Sequence, residues 1–144
     1  MRAVVVDASF TLAWCFDEKE SAEAAKLLGE VGLWRVLAPG LWEMEVANGL
    51  ATAERRGRLT ASESAQFLGM LEDLGVEVDE ERGPRLRERV LALARGCGLT
   101  AYDAAYLELA IREGAVLASF DEQMRKAAKR AGVEVWARSG KKGR

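Results

Sequence analysis

The stretch RAVVVDASF, residues 2–10, constrains this chain more than any other. Val4, Val5 and Val6 are consecutive β-branched residues with no polar alternation, the pattern of a strand covered on both faces. Asp7 follows at once, then the small residues Ala8 and Ser9, suited to a tight turn. A carboxylate is costly to bury unpaired. Its place at the end of a central strand therefore asks for a reason.

The rest of the chain supplies partners for that strand. Short apolar segments at 35–38, 76–78, 115–118 and 133–136 read as four further strands. Helical patterns fill the intervals: 11–16, 21–28, 41–55, 60–73, 84 to about 96 or 98, 100–112 and 122–130. Thr60 and Glu63 have capping-box spacing, Pro84 suits a first helical turn, and Gly114 suits a C-cap. Strands alternating with helices predict an α/β fold, a three-layer α/β/α sandwich around a central, mainly parallel five-stranded sheet. In such sheets ligands bind beyond the carboxyl ends of the strands. Asp7 stands at one of those ends. A single domain is expected over residues 1–138, followed by a basic tail, 139–144.

Histidine is absent from the sequence, which removes imidazole as base, nucleophile partner or metal ligand. Cys15 and Cys97 match no metal-ligand spacing and read as buried free thiols, so a zinc site is excluded. Carboxylates remain, and they favour hard cations such as Mg2+ or Mn2+. No apolar run approaches the ~18–20 residues that span a bilayer, and no signal-peptide pattern opens the chain, so a cytoplasmic protein with no membrane partner is expected. From Arg125 onward eight Lys or Arg stand against one acid, Glu134. Such a stretch either attracts a polyanion or forms a solvated helix face and a frayed end.

Four acids stand out, each with a plainer alternative. Ala118-Ser119-Phe120-Asp121 repeats the pattern of an apolar strand, a hydroxyl and an acid, and Asp121 also suits a helix N-cap. Asp103 has capping-box spacing from Thr100, yet Ala101, Ala104 and Ala105 leave room around its carboxylate. The positive end of that helix favours a negative charge there. Glu45 and Asn48, three apart, share one helix face, and Leu41, Met44 and Val46 around them suggest a mostly buried surface. The alternative for Glu45 is a surface acid.

Four segments, VVVDAS, PGLWEMEVANGL, LTAYDAAYLELA and VLASFDEQM, occur in an order and spacing that resemble PIN-domain ribonucleases, most closely the VapC-type toxins of toxin–antitoxin pairs. The resemblance runs from Val4 through Trp136. Position by position it implies that Asp7, Glu45, Asp103 and Asp121 form an acidic quartet, with Ser9, Asn48 and Ser119 as accessory polar residues; Ser119 stands where relatives usually have Thr. The C-terminal RSGKKGR matches no family motif.

That resemblance implies metal-dependent hydrolysis of RNA phosphodiester bonds, leaving a 5′-phosphate and a 3′-hydroxyl. Four carboxylates brought together repel one another, and a divalent cation, Mg2+ or Mn2+, relieves the repulsion. Asp7 with one or both of Asp103 and Asp121 would ligate it directly; Glu45 would bind through water or orient the attacking water. RNA is a polyanion, so basic groups must rim the acids. Arg55, Arg56, Arg58, Arg125, Lys126 and the C-terminal cations are the candidates, with ordinary surface charge as the alternative for each. The resemblance also implies a small antitoxin partner and a homodimer, with apolar faces near Trp14 or Trp34 available for contact. Three other readings stand beside it. They are a housekeeping RNA-processing nuclease, a non-catalytic RNA- or protein-binding module, and a phosphatase using Asp7, Ser9 and Thr11 at positions i, i+2 and i+4.

Overall fold

The computed structural model describes residues 1–16 and 21–136. Strand β1 (Arg2–Val6) pairs in parallel with β2 (Trp34–Ala38) on one side and β4 (Val116–Ala118) on the other. Two-residue β3 (Glu77–Val78) closes the far edge, giving the parallel order β3-β2-β1-β4. The helices are α1 (Ala8–Leu12), α2 (Ser21–Leu28), α3 (Trp42–Arg55), α4 (Ala61–Leu74), α5 (Pro84–Cys97), α6 (Ala101–Glu113) and α7 (Glu122–Arg130).

The valine run behaves as a doubly covered strand must. Side chains alternate across a sheet, so Val5, level with Leu37 and Leu117, packs into a core with Trp42 and Val46 of α3, Phe67 of α4 and Leu107 of α6. Val4 and Val6 pack the other way, with Phe10 of α1 and Ala24 and Leu27 of α2. All three valines are fully buried. The parallel α/β fold with helices on both faces is thus as expected.

Two details depart from expectation. Among the described residues the sheet has four strands, not five: segment 133–136 contributes a single parallel bridge, Leu117 to Val135. Beside that bridge the Trp136 N–H donates to the Leu117 carbonyl, and the Trp136 carbonyl accepts from the Arg125 guanidinium at 3.0 Å. The first helix starts at Ala8 rather than at residue 11, because Asp7 itself caps it: Asp7 Oδ1 accepts from the Phe10 N–H at 2.7 Å. Residues 137–144, with the tail, lie outside the described residues.

Local signals elsewhere hold. Thr60 and Glu63 form the full reciprocal capping box, Pro84 opens α5, and Gly114 ends α6 in the left-handed conformation. Cys15 and Cys97 are free but only half-buried. Among the described residues no helix is long and apolar enough to cross a membrane.

Candidate active site

The acids gather where β1 and β4 end. Asp7 follows β1 directly, and its N–H donates to the Ala118 carbonyl at the end of β4. The turn after β4 carries Ser119, Phe120 and Asp121. Phe120 stacks on Phe10 of α1 with ring centroids 4.8 Å apart, which holds this turn beside the helix that Asp7 caps. Asp121 caps α7 through a 2.9 Å bond from the Met124 N–H, while its own N–H donates to Ser119 Oγ. Both aspartates thus cap a helix with Oδ1, which leaves Oδ2 outside that bond. The N-cap alternative and the site reading are compatible.

Helix α3 brings the third acid. Trp42 Nε1 donates to Thr11 Oγ1 at 2.9 Å, and the Thr11 hydroxyl donates to the Asp7 carbonyl, also at 2.9 Å. This buried relay fixes the start of α3 against α1, and Glu45 lies one turn on from Trp42. Thr11 is fully buried in that role, which removes the phosphatase reading's third residue from any substrate.

Helix α6 brings Asp103 and, one turn on, Tyr106. Only half of the expected capping box forms here: Thr100 Oγ1 accepts from the Asp103 N–H at 3.1 Å, and the Asp103 carboxylate lines the pocket instead of reaching back. Tyr106, buried to 1 % exposure, donates its hydroxyl to Glu45 Oε1 at 2.5 Å. Its hydroxyl also meets the Ala8 backbone, so one oxygen ties α6, α3 and α1 together. The sequence reading missed Tyr106, although its i+3 spacing from Asp103 marks the same helix face.

One pocket is lined by Asp7, Ser9, Glu45, Asn48, Asp103 and Tyr106, among others. Asp121 lies outside this lining, exposed at the start of α7, but its charge acts on both Asp7 and Asp103. Ser119 is buried behind the pocket and hydrogen-bonds Asp7. Burial pushes the Asp7 carboxyl up to about 6; the bonds from Ser119 and Phe10 oppose this, and the charges of Asp103 and Asp121 add to it. Asp103 is raised too, by burial first and then by Asp121 and Glu45. Burial and the Glu45 charge drive the Tyr106 phenol upward, so it stays a proton donor.

The donor set is all oxygen and uncompensated. Among the described residues the ion pairs lie elsewhere, such as Arg35–Glu77 and Arg112–Asp79, and none involves the four acids. A buried carboxyl whose ionised form is disfavoured first by burial and then by neighbouring acids, with no cation beside it, fits a hard divalent ion in donor chemistry. As the side chains lie, no three carboxylates among the described residues stand close enough to ligate one ion together.

Arg125, expected to rim the acids, is placed differently, and Trp14 and Trp34, named for an interface, make contacts within the chain. Arg125 is 7 % exposed and donates to the Ser119 and Trp136 carbonyls, so it braces the β4 turn rather than rimming the pocket. Trp14 and Trp34 are half-buried and engaged within the chain: Trp14 Nε1 donates to the Ala24 carbonyl, and Trp34 packs edge-on to Trp136.

Comparison with known proteins agrees with this fold. The sequence matches the PIN domain family over residues 4–130. This chain belongs to the PIN domain family. It is 32 % identical over 121 residues to Ribonuclease VapC3 of Pyrobaculum aerophilum, covering 84 % of this chain and 91 % of that protein. The crystal structure of PAE2754, also from Pyrobaculum aerophilum, superposes with a TM-score of 0.66 at 28 % identity over 88 % of this chain and 86 % of that one. That of FitAcB from Neisseria gonorrhoeae gives 0.63 at 15 % identity, over 92 % and 95 %, a likeness of fold alone.

Proposed function

We propose that this protein is a metal-dependent endoribonuclease and the toxin of a VapBC-type toxin–antitoxin pair, working in the cytoplasm. The observation that carries the reading is the desolvated Asp7 carboxyl, with the charges of Asp103 and Asp121 acting on it and no cation beside it. A relative at 32 % identity named a ribonuclease supplies the substrate class.

Asp7, Asp103 and Asp121 would hold Mg2+ or Mn2+, which when bound supplies a Lewis acid for the phosphate and a more acidic water. The chain's own residues do the rest. Glu45, with Oε1 fixed by Tyr106, accepts the proton of the attacking water at Oε2. Tyr106 keeps its proton and holds that carboxylate in one rotamer. Ser9 and Asn48, both exposed on the pocket rim, offer hydrogen bonds to the RNA on either side of Glu45. Ser119 stays behind Asp7 and orients it. In-line attack by water leaves a 5′-phosphate and a 3′-hydroxyl.

The partners proposed are an RNA substrate, a small antitoxin and a second copy of the chain. An arginine of the antitoxin entering the pocket would pair with the uncompensated carboxylates, bidentate geometry favouring Arg over Lys. The test is cleavage of total RNA by the pure protein with Mn2+, with EDTA, and by Asp7→Asn, with the ends mapped. Cleavage only by wild type with metal supports the nuclease. RNA binding without cleavage under all conditions points to a non-catalytic module. Expression that is harmless, with soluble and metal-active enzyme present, replaces the toxin with a housekeeping RNA-processing nuclease.

A further inference from the structure

Two exposed apolar side chains flank the acid pocket. Met44, expected in a mostly buried surface around Glu45, is instead 72 % exposed and lines the pocket beside that acid. Tyr102 is 66 % exposed in the first turn of α6. It stands one turn before Tyr106, and i, i+4 spacing places the two residues on one face of the helix. The Tyr106 hydroxyl meets Glu45 at 2.5 Å, which holds the starts of α3 and α6 together. Met44 and Tyr102 belong to those two starts.

The fold gives neither side chain a reason to be there. The first turn of a helix favours acids, and α3 has them at Glu43 and Glu45, on either side of Met44. In α6 the first-turn acid is Asp103, directly after Tyr102. Met44 and Tyr102 gain nothing from either dipole. Nor do they cap their helices, since Leu41 and Thr100 hold the N-cap positions. Single exposed apolar residues are ordinary on a protein surface. Here two of them stand each beside a pocket acid, on two helices that a single hydrogen bond joins.

We propose that Met44 and Tyr102 form an apolar clamp for an unpaired base of single-stranded RNA, next to the scissile phosphate. The inference rests on the ribonuclease reading for its substrate. It adds that the cut falls in an unpaired segment, because a base inside a duplex has no free face to offer. Carboxylates repel the phosphates of the strand, whereas a base is uncharged and stacks on an aromatic ring. The flexible, polarisable thioether of Met44 adapts to the face of an aromatic ring system. The clamp therefore supplies binding that the charge of the pocket does not oppose.

The experiment measures binding of a short fluorescein-labelled single-stranded RNA by anisotropy in EDTA as KCl is raised. Wild type, Met44→Ala, Tyr102→Ala, Tyr102→Leu and Tyr102→Phe are compared, each also on the same sequence annealed into a duplex. Tyr102→Ala and Tyr102→Leu should weaken single-strand binding at least about fivefold, the low end of what a lost base stack costs. Met44→Ala should weaken it about twofold or more. Tyr102→Phe should keep the wild-type Kd, and no variant should change the salt slope, because no phosphate contact is lost. Duplex binding should be the same in all five proteins. Full single-strand affinity in Tyr102→Ala or Tyr102→Leu, lost affinity in Tyr102→Phe, or no binding by wild type overturns the inference. Full affinity in both alanine variants would give the two side chains to a protein contact instead. Cleavage of the same RNA by wild type with Mn2+ separates the two claims. Cleavage with unchanged affinities leaves the nuclease standing without this clamp; weakened single-strand binding without cleavage leaves the clamp and removes the nuclease.

Discussion

The Tyr106 hydroxyl and the Glu45 carboxylate meet at 2.5 Å, joining residues 61 positions apart on two different helices. Hydrogen bonds to a charged group are worth roughly 1.5–3 kcal/mol, and this one fixes the side chain proposed to take the proton. Tyr106→Phe keeps the ring in the core and removes only the bond. Its kcat should fall about tenfold or more with KM little changed, measured on a defined RNA with Mn2+. A change confined to KM would mean that the tyrosine serves substrate binding instead.

Asp7→Asn should be more stable than wild type in metal-free buffer at neutral pH. Asp7 is raised from 3.8 to about 6 in the fold. Below pH ~4 the carboxyl is protonated in both folded and unfolded chains, and its contribution is fully present. As pH rises through about 6 the folded state must ionise it, and stability is lost, up to about 3 kcal/mol at one pKa unit per ~1.4 kcal/mol. The gap between variant and wild type should open between pH 4 and 7 in thermal melts. Millimolar Mg2+ or Mn2+ should raise the wild-type midpoint and leave that of the variant nearly unmoved.

Glu108→Ala should cost far more than an ordinary surface change. Glu108 is 4 % exposed and accepts from Arg89 and Arg112, each at 2.9 Å through Nε, while Arg112 also forks onto Asp79. Burial pushes its carboxyl up, but the two arginines outweigh that and hold it below the usual range. Removing one partner of a buried ion network typically costs about 3–5 kcal/mol; a lower figure is expected here because Arg89 is partly exposed. Urea unfolding measures it, and a loss under about 1 kcal/mol would class the network as surface pairing.

Removing residues 139–144 deletes Lys141, Lys142 and Arg144. If the tail touches RNA, each lost contact should lower the salt slope by about 0.7 for a single strand. An unchanged slope removes the segment from RNA binding.

Local chemistry was legible where neighbours in sequence settle the outcome. The Val4–Val6 run announced a doubly covered strand, and Thr60 with Glu63 announced a helix start that forms in full. Asp7 was harder, because one residue closes a strand and opens a helix, so α1 begins three residues before its apolar pattern suggests. Arg125 was read as a rim cation or surface charge because its partners, the Ser119 and Trp136 carbonyls, are tertiary. Glu108 was only half legible: Arg112 pairs with it one turn on along α6, but Arg89 lies 19 positions away. The pocket grouping of Asp7, Glu45 and Asp103 followed from the resemblance and from strand-end logic; Tyr106 was missed, because an aromatic in an apolar helix gives no sign that its ring is core while its oxygen faces the site.

Asp7 divides its two oxygens between architecture and chemistry, and that division shapes what a genetic selection would return. Oδ1 closes the first turn of α1 through the Phe10 N–H. Asn, Ser and Thr can also close that turn, so they should yield folded, silent chains still able to occupy the proposed antitoxin. Leu or Val at the same codon forfeits the cap and leaves that N–H buried without a partner, giving chains that are cleared before they meet anything. Survivors of a growth selection should therefore split into two populations at this one position, decoys and absentees. An immunoblot would tell them apart where a colony count would not.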